Sequence, residues 1–315
     1  MKRIYIFLIL SLLVCNDSME KSSGYVKKIV VVSSHKQVEM LIDFVNMFSY
    51  TPQREYFFEY DCIKPDNIMY YKRYHTLVIV GTLKDSIIHA FTTQEQREKI
   101  NSEGYLLTRL KDPWVQDQVV FVIGTKEEED IRPAILANKF ILMKEFYKRI
   151  VLRMGNVVYE MGREHEVEKR IKEVTGINVK IPVGFKLLKD TFDFIAIKKH
   201  QPDRFLFFSK IKRNNRDIVA VRDSLTSIYY EGDYVERRYL RIDSIEKDGI
   251  KGAKITGIWQ NDRDIAGGPF TTYVFTVNDS LLILDGGIYA PEKRKLPYVL
   301  QIEAILRSVY FEKER

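Results

Sequence analysis

The unbroken run Ile29, Val30, Val31 and Val32 constrains this chain more than any other feature. Four consecutive β-branched residues leave no face for water, so the run must become a strand covered on both sides. Two more apolar runs follow, residues 76–80 closed by Gly81 and residues 119–123 closed by Gly124. After the first run, Ser33 and Ser34 are placed to cap a helix that carries Val38, Leu41, Ile42, Val45 and Phe48 at helical spacing, with Pro52 beyond its end. Residues 55–61, where Tyr56, Phe58 and Tyr60 alternate with their neighbours, read as a further strand. Alternation of strand and helix predicts an α/β unit over residues 25–125, its strand carboxyl ends gathered around a crevice. The glycines at those ends are isolated and form neither a phosphate loop nor a dinucleotide fingerprint, so no cofactor is expected.

Ahead of this unit, Lys2 and Arg3 precede apolar residues 4–10 and 12–14. A membrane span needs about 20 apolar residues, so the stretch has the length of an export signal. It stops at Cys15, the layout of a lipoprotein signal in which that cysteine is acylated, although Val14 stands where such signals usually carry a small residue. Residues 1–14 are therefore read as a signal peptide and residues 15–24 as a polar tether; an uncleaved anchor and an ordinary cleaved signal are the alternatives. The expected place is the cell envelope, with the chain lipid-anchored to a bacterial membrane and facing the periplasm or the exterior. Two cysteines exclude a disulfide framework and a four-cysteine zinc site, and Cys62 is expected as a small buried hydrophobe. The formal charge of +7 is scattered over short basic clusters without a recognition motif, so no nucleic-acid partner is expected. Contact with anionic headgroups is the better use of that charge.

Residues 126–176 read as a helical segment, with Ile135, Phe140, Ile141, Met143, Phe146, Ile150 and Val151 as its packing stripe and Gly155 and Gly162 as bends. Residues 177–315 read as an α+β unit closed by a C-terminal helix, with strands near 192–196, 205–208 and 218–221 and a hairpin turning at Asn278-Asp279. The fold class expected is thus an α/β N-terminal unit plus an α+β C-terminal unit, mixed sheets with covering helices. His35, His75, His89, His165 and His200 are singletons, and no metal site is expected. Trp114, in the polar loop 112–118, reads as a lid over the core, and Asp112 and Asp117 read equally as polar groups at a cleft mouth or as turn residues.

Trp259, the segment Asp-Ile-Ala-Gly-Gly-Pro-Phe at 264–270, Ile288-Tyr289-Ala290-Pro291 and Glu303-Ala304-Ile305-Leu306 together resemble an uncharacterised family of bacterial envelope lipoproteins, a domain of unknown function. The resemblance spans the mature chain, is sharpest over residues 257–306, and implies lipidation at Cys15. It brings no catalytic residues with it. The adjacent glycines suggest a tight loop at Gly267-Gly268-Pro269-Phe270, onto which Arg222, Asp223, Trp259, Asp264 and Tyr289 converge as a pocket. The same residues also describe a structural corner locked by a tryptophan lid and an Arg–Asp pair, and that reading is preferred to the pocket. Two functions follow. One is a noncatalytic, membrane-tethered binding or assembly module whose partner is an envelope protein or a glycan; the other is a small envelope hydrolase or transferase using Asp223 or Asp264 as acid or base beside Arg222.

Overall fold

In the computed structural model, which describes residues 19–213, 217–230 and 232–311, the valine run forms β1 (Lys28–Val32). The leader and Cys15 lie outside the described residues. The chain continues through α1 (Gln37–Ile42), a hairpin of β2 (Phe48–Tyr50) and β3 (Arg54–Tyr56), then β4 (Glu59–Ile63), α2 (Ile68–Tyr71) and β5 (Thr76–Thr82). α3 (Ser86–Phe91), α4 (Gln94–Glu103), β6 (Tyr105–Lys111) and β7 (Val119–Thr125) follow. These strands form a five-stranded sheet in the order β4-β1-β5-β7-β6, with β1, β5 and β7 parallel and β6 antiparallel at the edge. Every residue of β5 and β7 is buried, and Val30, Val32, Leu77, Ile79, Val120 and Val122 meet Ile88 and Ile100 of the covering helices. Each such side chain contributes about 1.5–3 kcal/mol by leaving water.

Three local expectations change here. Residues 55–61 are two strands rather than one. Cys62 is exposed, because β4 is the outermost strand of its sheet and leaves the thiol uncovered. Residues 20–23 are not a loose spacer: Ser22 N donates to Gln116 O at 2.9 Å, Ser23 N donates to Arg73 O at 2.8 Å, and the Ser22 hydroxyl meets His75 Nδ1 at 2.8 Å. Trp114 does lie over the core, its ring 5.4 Å from Phe91, and Asp112 and Asp117 both take positive φ in the turn.

The chain divides into two compact units that interleave along the sequence. The first contains Ile29–Lys36 and Asp61–Ile131 with the residues up to Tyr25; the second contains Val26–Lys28, Gln37–Tyr60 and everything from Arg132 onward. The expected unit over 25–125 is thus interrupted. Aromatic packing explains why: Phe57 and Phe58 set their rings against Tyr147 and Phe146 at 5.2 and 5.4 Å, so the β2–β3 segment goes with the second unit.

The main part of that unit opens with α5 (Ile131–Tyr159), which continues unbroken through Gly155; the bend comes at Gly162, whose φ of +105° suits only glycine. Ile135, Phe146, Ile150 and Val151 are buried, but Phe140 is 77% exposed and Ile141 53%. Residues five apart, such as Ile135 and Phe140, point about 140° apart on a helix and cannot share one face. Beyond α6 (His165–Thr175) come β8 (Lys186–Asp190), β9 (Phe194–Lys199), β10 (Asp203–Lys212), α7 (Ile218–Tyr229), β11 (Tyr234–Lys247), β12 (Ile250–Asn261), β13 (Ala266–Val277), β14 (Ser280–Tyr289) and α8 (Leu296–Arg307). The seven strands form one antiparallel sheet in the order β11-β12-β13-β14-β10-β9-β8. Ile171 of α6 and Ile302, Ile305 and Leu306 of α8 pack into one cluster, and Val219 and Val221 of α7 into another. The Asn278-Asp279 hairpin forms in the expected place, with Val277 paired to Ser280. Residues 218–221 are helix instead of strand, because the Asp217 carboxylate accepts Val219 N and Ala220 N and starts α7 there. The class is as expected, an α/β unit followed by an α+β unit.

Candidate functional site

Arg222, on α7, is 3% exposed, and its guanidinium is claimed from inside the sheet. Nε donates to Asp285 Oδ2 at 2.7 Å and Nη2 to Oδ1 at 3.3 Å, while the Thr272 hydroxyl donates to the same carboxylate. The guanidinium carbon lies 3.9 Å from the Phe270 ring centre. Its sequence neighbour Asp223 accepts Val235 N at 3.0 Å, and burial pushes that carboxyl up. Trp259 Nε1 donates to Ile288 O at 3.3 Å, and the Trp259 ring centre lies 6.4 Å from that of Tyr289.

Gly267 and Gly268 belong to β13, paired with Gln260 and Trp259, and form no loop. A Cβ on Gly268 would be driven into Ile288 O, so glycine is needed for the approach of β14 rather than for a turn. Gly286 and Gly287 are likewise strand residues. Asp264 stands in the β12–β13 turn, exposed, its N–H donating to Asn261 Oδ1 at 3.2 Å. Trp259, Gly268 and Tyr289 therefore come together beside Phe270 and Arg222, whereas Asp223 and Asp264 reach neither the arginine's carboxylate partner nor each other by any hydrogen bond. The partner itself, Asp285, stands 63 residues from Arg222, and in the sequence its Asp-Gly-Gly setting has the composition of a turn.

A second buried carboxylate is tied in the same manner. Glu303 meets Lys254 Nζ and Arg307 Nε at 2.8 Å each and accepts the Tyr273 hydroxyl at 2.7 Å. Burial pushes this carboxyl up, but the two cations outweigh it and hold it below its usual range.

The carboxyl ends of the parallel strands bring together residues that sequence reading kept apart. His35 Nε2 lies 2.8 Å from Asp85 Oδ2, and Nδ1 lies 3.5 Å from Glu128 Oε1. Asp85 also accepts Thr82 N at 2.7 Å, the Thr82 hydroxyl at 2.9 Å and the Ser34 hydroxyl at 3.0 Å. Burial opposes ionisation of Asp85, yet these donors win and hold its carboxyl at about 2. The group sits between β1 and β5, where the strand order reverses. Both imidazole nitrogens face carboxylates, so His35 ties three loop segments together. Among the described residues, no group of three or more His, Cys, Asp or Glu side chains is placed to hold a metal ion.

An open concavity lies elsewhere, in the second unit. A cleft of about 800 Å³ is lined by Lys27, Asp43, Asn46, Gln53, Arg54, Glu55, Tyr56, Phe58, Glu59 and Arg294. Lys27 Nζ is 3.2 Å from Glu59 Oε1. The Glu55 carboxylate accepts Lys295 N at 2.7 Å and Leu296 N at 3.3 Å, capping α8, and also takes the Thr51 hydroxyl at 2.5 Å. Asn46 is spent on the backbone of Phe58, donating to its carbonyl and accepting from its N–H at 2.9 and 3.2 Å. Arg54 lies 4.3 Å from the Phe48 ring centre. Among the described residues neither Arg54 nor Arg294 is ion-paired to a carboxylate. Nothing in the sequence marked this cleft: its walls come from a hairpin read as a helix end and one strand, and from a basic triplet 240 positions away.

Residues 164–308 match the model of a family described as a domain of unknown function (DUF4837). The match contains the stretch 257–306 that carries the resemblance and lies within the second unit; residues 25–163 fall outside it. No curated protein matches. Solved structures with partial likeness include cyanobacterial PsbP (CyanoP) from Synechocystis sp. PCC 6803, at 10% identity and TM-score 0.32 over 44% of this chain and 87% of that one. A protein of Bacteroides thetaiotaomicron VPI-5482 gives 11% identity and TM-score 0.26 over 44% of this chain and 46% of that one. LpqN, described as involved in cell envelope biogenesis of Mycobacterium tuberculosis, gives 12% identity and TM-score 0.27 over 42% and 82%. At these scores the superpositions carry no argument.

Proposed function

We propose that this protein is a membrane-tethered module of the bacterial cell envelope that binds a ligand or partner and performs no chemistry on it. The carrying observation is the contrast between its polar groups. The buried acids and bases Arg222–Asp285 and Glu303 with Lys254 and Arg307 are ion-paired with one another, while the cleft keeps two guanidinium groups without carboxylate partners. Catalysis by a side-chain acid or base needs titratable groups brought together within reach of substrate, and the two carboxyls expected in that role stand apart: Asp223 accepts Val235 N and Asp264 sits in an exposed turn.

The tether is supported by the Lys2-Arg3 leader, its short apolar stretch and Cys15. No helix among the described residues is long and apolar enough to cross a membrane; a lipid on Cys15 would supply the attachment. Lys21 pairs with Gln116 and Ser23 with Tyr74, at the amino ends of β7 and β5. Five residues separate Cys15 from Lys21, six chain steps that reach at most about 22 Å. The amino ends of the parallel strands therefore lie close to the lipid in this reading, with membrane as the first partner and an envelope protein or glycan as the second.

The test compares the full chain with Cys15→Ser in a bacterial host fed labelled palmitate. Label and sedimentation with membranes are expected for the full chain, and both are lost in Cys15→Ser. Unlabelled, freely soluble full chain that retains its initiator methionine overturns the proposal.

A further inference from the structure

We infer that the 800 Å³ cleft of the second unit takes an acidic saccharide, its ring held against aromatic side chains and its carboxylate met by Arg54 and Arg294. The inference rests on the binding-module reading and adds the ligand class.

Charge selects an anion. Of the acids in the cleft wall, Glu55 is committed to the first amides of α8 and Glu59 to Lys27. Two guanidinium groups without carboxylate partners, Arg54 donating to the Tyr50 hydroxyl at 3.4 Å, then share the cleft wall with one further carboxylate, Asp43. A planar guanidinium matches a carboxylate with two parallel N–H donors, which a lone ammonium cannot do. Asp43 decides against a bare carboxylate ion, which would bring no hydrogen for it. Sugar hydroxyls donate, and the exposed Gln53 amide can both donate and accept beside it.

Aromatic residues select a ring. Tyr56 lines the cleft and stands edge-on to Phe48 at 6.2 Å; they are 49% and 42% exposed, and Tyr50 beside them is 40% exposed. These three half-exposed rings, Phe48 lying under the Arg54 guanidinium and Tyr50 against Tyr239, form a partly apolar surface on the hairpin beside the cleft. The C–H face of a pyranose covers such a surface while its hydroxyls remain free for the polar wall. The volume is within the range of about 300–1,000 Å³ usual for ligand pockets.

The test is calorimetric titration of the full chain in detergent with a tetrasaccharide of galacturonic acid, a neutral galactose tetrasaccharide and inorganic phosphate. The acidic sugar is expected to bind, and the affinity to fall with added salt and by tenfold or more in Arg54→Gln and in Arg294→Gln, with circular dichroism unchanged. Equal affinity for the neutral sugar, binding to neither sugar, phosphate displacing the acidic sugar at matched concentration, or native affinity in both arginine variants overturns the inference. Two outcomes separate it from the preceding proposal. New reducing ends in the titrated sample would defeat the noncatalytic reading and leave the ligand class standing, and failure of lipidation at Cys15 would leave the titration unaffected.

Discussion

At position 222 a guanidinium is withdrawn almost wholly from water, and what makes that tolerable is the carboxylate of Asp285, 2% exposed. Removing one partner of such a pair leaves the other charged and unpaired, which costs about 3–5 kcal/mol, while replacing both by apolar residues costs far less. Arg222→Ala should accordingly lower the denaturation midpoint severely, and combining Arg222→Met with Asp285→Leu should recover much of it. Asp264→Ala, in an exposed turn, should stay within about 0.5 kcal/mol of the parent; all three are read by chemical denaturation. Asp85 makes a different prediction. Its folded carboxyl sits at about 2 against an ordinary 3.8, so the unfolded chain takes up a proton first as pH falls. The stabilisation, about 2 kcal/mol, is full above pH ~5 and is lost as pH falls toward 2. The stability gap between parent and Asp85→Asn should close over that window, and a gap independent of pH would show that the hydrogen bonds around Asp85 do not favour its ionised form.

At the scale of elements, strands with continuous β-branched runs were legible, because burial on both faces leaves an unmistakable composition; β1, β5 and β7 are examples. The edge strand β6 was not, since Thr108, Arg109 and Lys111 give it the polarity of a loop. The run Ile-Val-Ala-Val at 218–221 has the composition of a strand, and only the Asp217 cap decides for helix. Gly267-Gly268 misleads in the other direction: two glycines suggest a turn, where the close approach of neighbouring strands is the cause. The same closeness makes Gly268→Ala a test of the ladder. Its added methyl meets backbone, which cannot swing aside, so a loss of more than about 2 kcal/mol is expected, with faster amide exchange along β13 and β14.

At the scale of the molecule, the class of each half followed from the period of its apolar residues, but the interleaving of the two units did not, because contacts between residues 57–58 and 146–147 leave no local trace. The candidate sites escaped for the same reason. His35 and Asp85 are 50 positions apart, and the walls of the cleft 240. The proposed attachment to lipid has a built-in reporter. Trp114 lies two residues from Gln116, where the amino-terminal segment docks, and Trp259 is buried in the other unit. On vesicles carrying brominated lipid, Trp114 emission in Trp259→Phe should be quenched in the chain that keeps Cys15 and not when Cys15→Ser is added. Equal emission from the two would contradict the placement.

The Glu55 carboxylate also couples ligand binding to heat resistance. Because it stitches the hairpin to the first amides of α8, any molecule that settles against that hairpin restrains the closing helix as well. Occupancy at about a hundred times the dissociation constant would add about 2.7 kcal/mol to the folded state. A simple melting ramp across a library of envelope sugars would then double as a search for the natural guest.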